Sequence, residues 1–124
     1  MQHREWAFRI TDILESFARI QRYIDGMSID DFEKNEMVID AVVRNIITVG
    51  EATRYIPDDI RAKYPTVPWS LMRGMRNVVV HRYEDVDIEL TWHAITRQIP
   101  PLIPVLEAIY ATEADAAGDA LNDK

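Results

Sequence analysis

Apolar residues in this chain recur at steps of three and four, with no sustained alternation, and that periodicity confines it to helices. Trp6, Ile10, Ile13, Leu14, Phe17, Ile20 and Ile24 keep the spacing that stacks side chains along one helical face, which predicts a helix over residues 5–25. Gly26 is suited to the left-handed stop position, and Ser28 opens a second helix with Asp31 three residues on, while Met27 and Phe32 have hydrophobic-staple spacing. Ile39, Val42, Val43, Ile46, Val49 and Thr53 carry that helix to about Tyr55. Gly50 within it costs about 1 kcal/mol relative to Ala, so close approach of a neighbouring helix is expected there.

Residues 57–64 read as a short helical turn, and Pro65 and Pro68 fix an extended connection before Trp69, because a residue preceding proline is biased away from helical angles. A third long helix follows. After the acidic turn EDVD, Ile88, Trp92, Ile95, Ile99, Leu102, Ile103, Leu106 and Ile109 again keep helical spacing. Pro100, Pro101 and Pro104 lack amide donors and crowd the preceding turn, which predicts a kink or restart near Pro101. The expected fold is all-α, an antiparallel helical bundle. Residues 1–112 form its single domain. From Glu113 onward four acids stand against one lysine in an Ala-rich stretch, and a disordered acidic tail is expected over 113–124.

A chain of 124 residues can bury a core without staples, and with no cysteine it has neither disulfides nor thiolate metal sites. The N-terminus MQHREWAFRI has no apolar signal-like region, and no apolar run approaches the roughly 18 residues of a membrane span. A cytoplasmic protein that does not enter membranes is the expectation. The formal charge of −7 argues against nucleic-acid binding over the whole surface, yet Trp69 to Tyr83 carries Arg73, Arg76 and Arg82 with no acid. A local basic site survives in an acidic protein.

On a helical wheel at about 100° per residue, Leu71, Met75, Val78 and Val79 fall on one side as core contacts, and Arg73, Arg76, Asn77, His81 and Tyr83 fall on the opposite arc. Val80 lies amid that polar arc, and a second subunit is the simplest cover for it. Continued as a helix, the segment would turn Arg82 toward the core, so an end or distortion is expected near residues 81–83. The arc combines a fixed cation, an orienting amide and an imidazole whose ordinary pKa lies near neutrality. These are the groups that metal-independent RNA cleavage requires. A base deprotonates the ribose 2′-hydroxyl for attack on phosphorus, an acid protonates the departing 5′-oxygen, and a cation holds the developing charge. One histidine cannot hold both protonation states at once, so a two-fold dimer that joins two copies of His81 and Arg76 is the arrangement that completes the chemistry.

Arg76, four residues, His81, one residue and Tyr83, written RNVVVHRY with the polar Asn77 after the arginine, resemble the signature of the HepT-like toxins of the HEPN family. DILESFARIQRYIDGMS, AVVRNIITVGEA and YPTVPWSLMRGMRN extend the resemblance over nearly everything before the tail. The resemblance implies a HEPN-like homodimeric ribonuclease toxin of a type II-like toxin–antitoxin pair, with a composite site at the dimer interface and a MntA-like nucleotidyltransferase antitoxin as partner. It assigns His81 and Arg76 to catalysis, Asn77 to support, and Tyr83 to modification by AMP, which would place charge and bulk where the RNA phosphate should sit.

Structural roles stand beside these. Arg76 could pair with an acid across a dimer, Asn77 could cap or hydrogen-bond, and Tyr83 could be an ordinary interface residue. Arg73 and Arg82 read as RNA-steering charges rather than catalytic ones. His3 and His93 read as surface residues, Trp6, Trp69 and Trp92 as core or interface residues, and Glu84, Asp85 and Asp87 as a polar turn that caps the next helix rather than a magnesium site. Glu51, in VGEA, either approaches the Arg and His site or has a buried or interface hydrogen-bonding role. No metal or cofactor is expected. The rival to a nuclease is an idle helical dimer that binds a nucleotide or an antitoxin through the same arc, or one that is purely structural.

Overall fold

The computed structural model of the chain describes residues 2–82 and 85–122, with the side chains of residues 2–5, 76, 78–82, 85 and 116–122 outside that description. Helix α1 spans Gln2–Tyr23 and buries Trp6, Ile10, Ile13, Phe17 and Ile20 along one face. Each such side chain, withdrawn from water, stabilises the fold by about 1.5–3 kcal/mol. The chain reverses at Gly26, whose φ of 76° belongs to the left-handed region open to glycine. Ser28 and Asp31 then form a reciprocal capping box, with Asp31 N donating to Ser28 Oγ at 3.2 Å and Ser28 N donating to Asp31 Oδ2 at 3.0 Å. This bond to Ser28 is the main reason that the Asp31 carboxyl is held below the usual carboxylate range.

The expected single helix over residues 28–55 is two helices. Helix α2 (Ile29–Glu33) stops after burying Phe32, whose ring centroid lies 5.2 Å from that of Trp92. Asn35 then starts α3 (Glu36–Thr53) by accepting from Val38 N at 3.1 Å, which replaces a continuing helical bond with a side-chain cap. Helix α3 packs against α1, with Val42, Ile46 and Val49 in the core. Helix α4 (Asp58–Lys63) is the expected short turn after Pro57, and α5 (Trp69–Val79) also packs against α3.

Helix α5 gives way to strand β1 (Val80–Arg82), paired antiparallel with β2 (Asp85–Val86). Neither strand was anticipated from periodicity, and helix ends two residues before His81. Three consecutive β-branched residues, Val78 to Val80, favour the change to extended backbone. Asp87 N-caps α6 (Ile88–His93) through a bond from Leu90 N at 3.0 Å, so this acid does act as a cap. A π-helical turn (Ala94–Gln98) follows, with Ile99 N reaching back five residues to Ala94 O at 2.9 Å. The chain restarts as α7 (Leu102–Asn122), as the prolines require. Pro104 falls in its first turn, where no intrahelical donor is needed.

Helix α7 packs along α1 and continues past the boundary expected at 112. Glu113, assigned by composition to a disordered tail, is only 2% exposed and accepts from Lys63 Nζ at 2.6 Å and Tyr64 Oη at 2.5 Å. Partners fifty residues earlier hold what local composition made look free. Seven α-helices are thus packed together among the described residues, and none is long and apolar enough to cross a membrane.

Candidate functional site

Helix α5 begins where Pro68 has set an extended approach, and its first turn is fixed twice. Met72 N donates to Pro68 O at 3.0 Å, and the Trp69 indole donates to Tyr64 O at 3.0 Å. Trp69, Met72 and Met75 are buried at three-residue spacing against α3. Leu71, expected as a core contact, is only half-buried, and Met72 takes that place. With Trp69, Met72 and Met75 turned inward, Ser70, Arg73 and Asn77 are left exposed together, the last two one helical turn apart.

Gly50 brings α3 against this helix. A Cβ built on it would stand 3.2 Å from the Arg73 carbonyl oxygen and 3.8 Å from that of Met72, so the close approach expected at this glycine is present. Beside the contact lies a groove of about 380 Å³ lined by Glu51, Arg54, Ser70, Arg73, Gly74 and Asn77. Glu51 is not buried. It lies in the groove and pairs with Arg54 at 3.5 Å, with half or more of each side chain exposed. Among the described residues, Arg73 has no ion-pair partner. Arg54 was missed by sequence reasoning. The available signal was Gly50, because a helix crossing there must bring the next turn of α3 beside the exposed face of α5.

The motif residues occupy two kinds of backbone. Arg76 and Asn77 belong to α5, His81 and Arg82 to β1, and Tyr83 lies outside the described residues. Val80 opposes Val86 and Arg82 opposes Asp85, which leaves His81 as an extra residue in a bulged ladder. Bulges of this kind re-aim a side chain and are frequent beside active sites. The helical-wheel placement of His81 on the same arc as Asn77 therefore does not hold, because the helix ends at Val79. No cluster of three or more His, Asp or Glu able to hold a metal occurs among the described residues. His93 is exposed, Trp6 and Trp69 are buried, and Trp92 packs partly buried against the core.

Fold and groove define an all-helical protein with an exposed guanidinium and amide pair, Arg73 and Asn77, on the same helix as the start of an Arg-x4-His-x-Tyr motif. The chain belongs to the family described as "Ribonuclease HepT-like", whose model matches residues 13–109. It is 34% identical over 109 residues to "Putative RNase MJ1380" of Methanocaldococcus jannaschii, covering 88% of this chain and 100% of that protein. It is 35% identical to "Putative RNase MJ1216" of the same organism, over 88% of this chain and 90% of the relative. It is 31% identical to "Probable ribonuclease HepT" of Thermococcus cleftensis, over 75% of this chain and 84% of that protein. No solved structure matches the chain significantly.

Proposed function

We propose that the protein is a metal-independent endoribonuclease toxin, active as a homodimer whose facing motifs form one composite cleft, and paired with a MntA-like nucleotidyltransferase antitoxin. The observation that carries this reading is the Arg76-Asn77…His81-x-Tyr83 motif of a HepT-like chain, with Arg76, Asn77 and His81 on the backbone of the α5–β1 junction. The relatives' ribonuclease names favour RNA as the substrate.

Arg76 holds the scissile phosphate, since a guanidinium keeps its charge throughout and grips phosphate oxygens bidentately. His81 of one protomer takes the proton of the ribose 2′-hydroxyl. The hydroxyl oxygen attacks phosphorus, the bond to the 5′-oxygen breaks, and a protonated His81 of the partner subunit supplies the proton that this oxygen needs. The products are a 2′,3′-cyclic phosphate and a 5′-hydroxyl. Asn77 orients the groups around Arg76, and Arg73 and Arg82 steer the RNA. The antitoxin silences the site by transferring AMP from ATP to the Tyr83 hydroxyl with release of pyrophosphate, which sets a negative phosphodiester beside Arg76 and His81.

Purified protein is expected to cut RNA in the presence of a chelator, leaving cyclic-phosphate ends. DNA of the same sequence should remain intact because it has no 2′-hydroxyl. His81→Ala and Arg76→Ala variants that stay folded and dimeric should lose the activity. Nucleotide or antitoxin binding with no cleavage by the unmodified protein would favour an idle binding dimer instead.

A further inference from the structure

Arg73 is an exposed cation without an ion-pair partner among the described residues, in a protein whose formal charge is −7. It lines the groove of about 380 Å³ between α3 and α5 together with Arg54, the C-cap residue of α3. Arg54 pairs there with Glu51 at 3.5 Å. That pair is solvent-exposed and therefore weak, so it does not withhold the guanidinium from a stronger anion. A Cβ built on Gly74 would meet nothing within 4 Å, so no side chain at that position keeps a ligand off the backbone of α5. Ser70 and Asn77 add neutral hydrogen-bonding groups to its wall. Volume places it within the range of about 300–1,000 Å³ typical of small-molecule sites. Asn77, which lines the groove, is the residue directly after Arg76, so one member of the motif stretch belongs to the groove wall.

We infer that the α3–α5 groove is a phosphate subsite for a nucleotide flanking the scissile link, with Arg73 and Arg54 gripping its phosphate from α5 and the C-terminal end of α3. The inference rests on the nuclease reading of the motif and adds a binding position outside it. Two guanidiniums in one groove suit a phosphodiester, which can displace the exposed Glu51 carboxylate from Arg54. A single-stranded RNA threading from the motif would lay its next phosphate here. Sequence specificity is not supplied by such contacts, because phosphate gripping positions the strand without reading bases.

The test is fluorescence anisotropy of a short labelled single-stranded RNA titrated with the His81→Ala protein, which holds cleavage off, at several salt concentrations. Adding Arg73→Gln should weaken binding on the order of tenfold and reduce the slope of log K against log salt by about 0.7, the value for one lost phosphate contact on a single strand. Arg54→Gln should act in the same direction. Arg73→Lys should retain the slope, and Arg97→Gln, an exposed arginine on the π-helical turn, should change neither quantity. Circular dichroism confirms that each variant is folded. If the His81→Ala protein binds RNA and Arg73→Gln and Arg54→Gln leave affinity and slope unchanged, the subsite is overturned while the nuclease reading stands. If the His81→Ala protein does not bind RNA and the wild type does not cut it, both fall together.

Discussion

Gly50 of α3 faces the backbone of Arg73 so closely that a Cβ there would stand 3.2 Å from the Arg73 carbonyl oxygen, whereas at Gly74, one residue along α5, a Cβ would meet nothing within 4 Å. Both glycines lie inside helices, where alanine is intrinsically better by about 1 kcal/mol. The two replacements should therefore have opposite signs. Gly50→Ala is expected to destabilise by about 1 kcal/mol net, because the atom it meets is helix backbone rather than a yielding side-chain end. Gly74→Ala should stabilise by about 0.5–1 kcal/mol. Chemical denaturation of the two variants beside the wild type checks this, and a stabilised Gly50→Ala protein would contradict the contact.

The carboxylate of Glu113 ties the last helix to α4. Its bond from Lys63 Nζ holds that ammonium above the ordinary lysine value, and its bond from the Tyr64 hydroxyl, with burial, pushes that phenol above its own. Both shifts are upward, so the associated stability is fully present below the unfolded values of about 10–10.5 and is lost as pH rises through the raised folded ones. Thermal melts in strongly alkaline buffer should show this loss in the wild type and less of it in Glu113→Gln. At neutral pH, Glu113→Ala should lower the thermal midpoint by roughly 5 °C. A chain ending at Thr112 should do the same or worse, which circular dichroism of the truncated protein would reveal.

Two caps separate what sequence periodicity joined. Asn35→Ala removes the acceptor of Val38 N and should cost about 1 kcal/mol, as should Ser28→Ala at the start of α2. The capping-box acid acts in the opposite pH range to Lys63 and Tyr64. Because the Asp31 carboxyl is held below its ordinary value of 3.8, its contribution exists above that pH and disappears as the solution is acidified through the lowered value. Urea midpoints measured on acidification should fall less in Asp31→Asn than in the wild type.

The proposed adenylylation of Tyr83 should be visible by intact mass. Incubation with the cognate antitoxin and ATP is expected to add one adenylyl group, with Tyr83→Phe unmodified and still able to cut RNA. Addition to that variant would move the modification elsewhere.

Local chemistry made much of this fold legible. Gly26, the Ser28–Asp31 box, Asp87 as a cap and the restart after Pro101 are encoded within a few residues of where they act. Glu113 was illegible because its partners are Lys63 and Tyr64, a tertiary relation that composition cannot express. The break at Lys34–Asn35 is an asparagine choosing its own backbone over a continuing helix, and periodicity runs straight through it. At the site, the exposure of Arg73 with Asn77 follows from helical spacing. Arg54 belongs to the groove only because two helices pack at Gly50, and the strand at Val80–Arg82 reflects pairing with Asp85–Val86 as well as the valines' own preference.

Tyr64 uses both of its ends. Its hydroxyl reaches Glu113 on α7, while its carbonyl receives the Trp69 indole at the first residue of α5. Fraying that begins near the C-terminal helix is thus two bonds from the start of the helix that carries Arg76. Linked through Tyr64, the final helix and the motif helix are expected to open together, their amides exchanging with solvent water at similar free-energy cost.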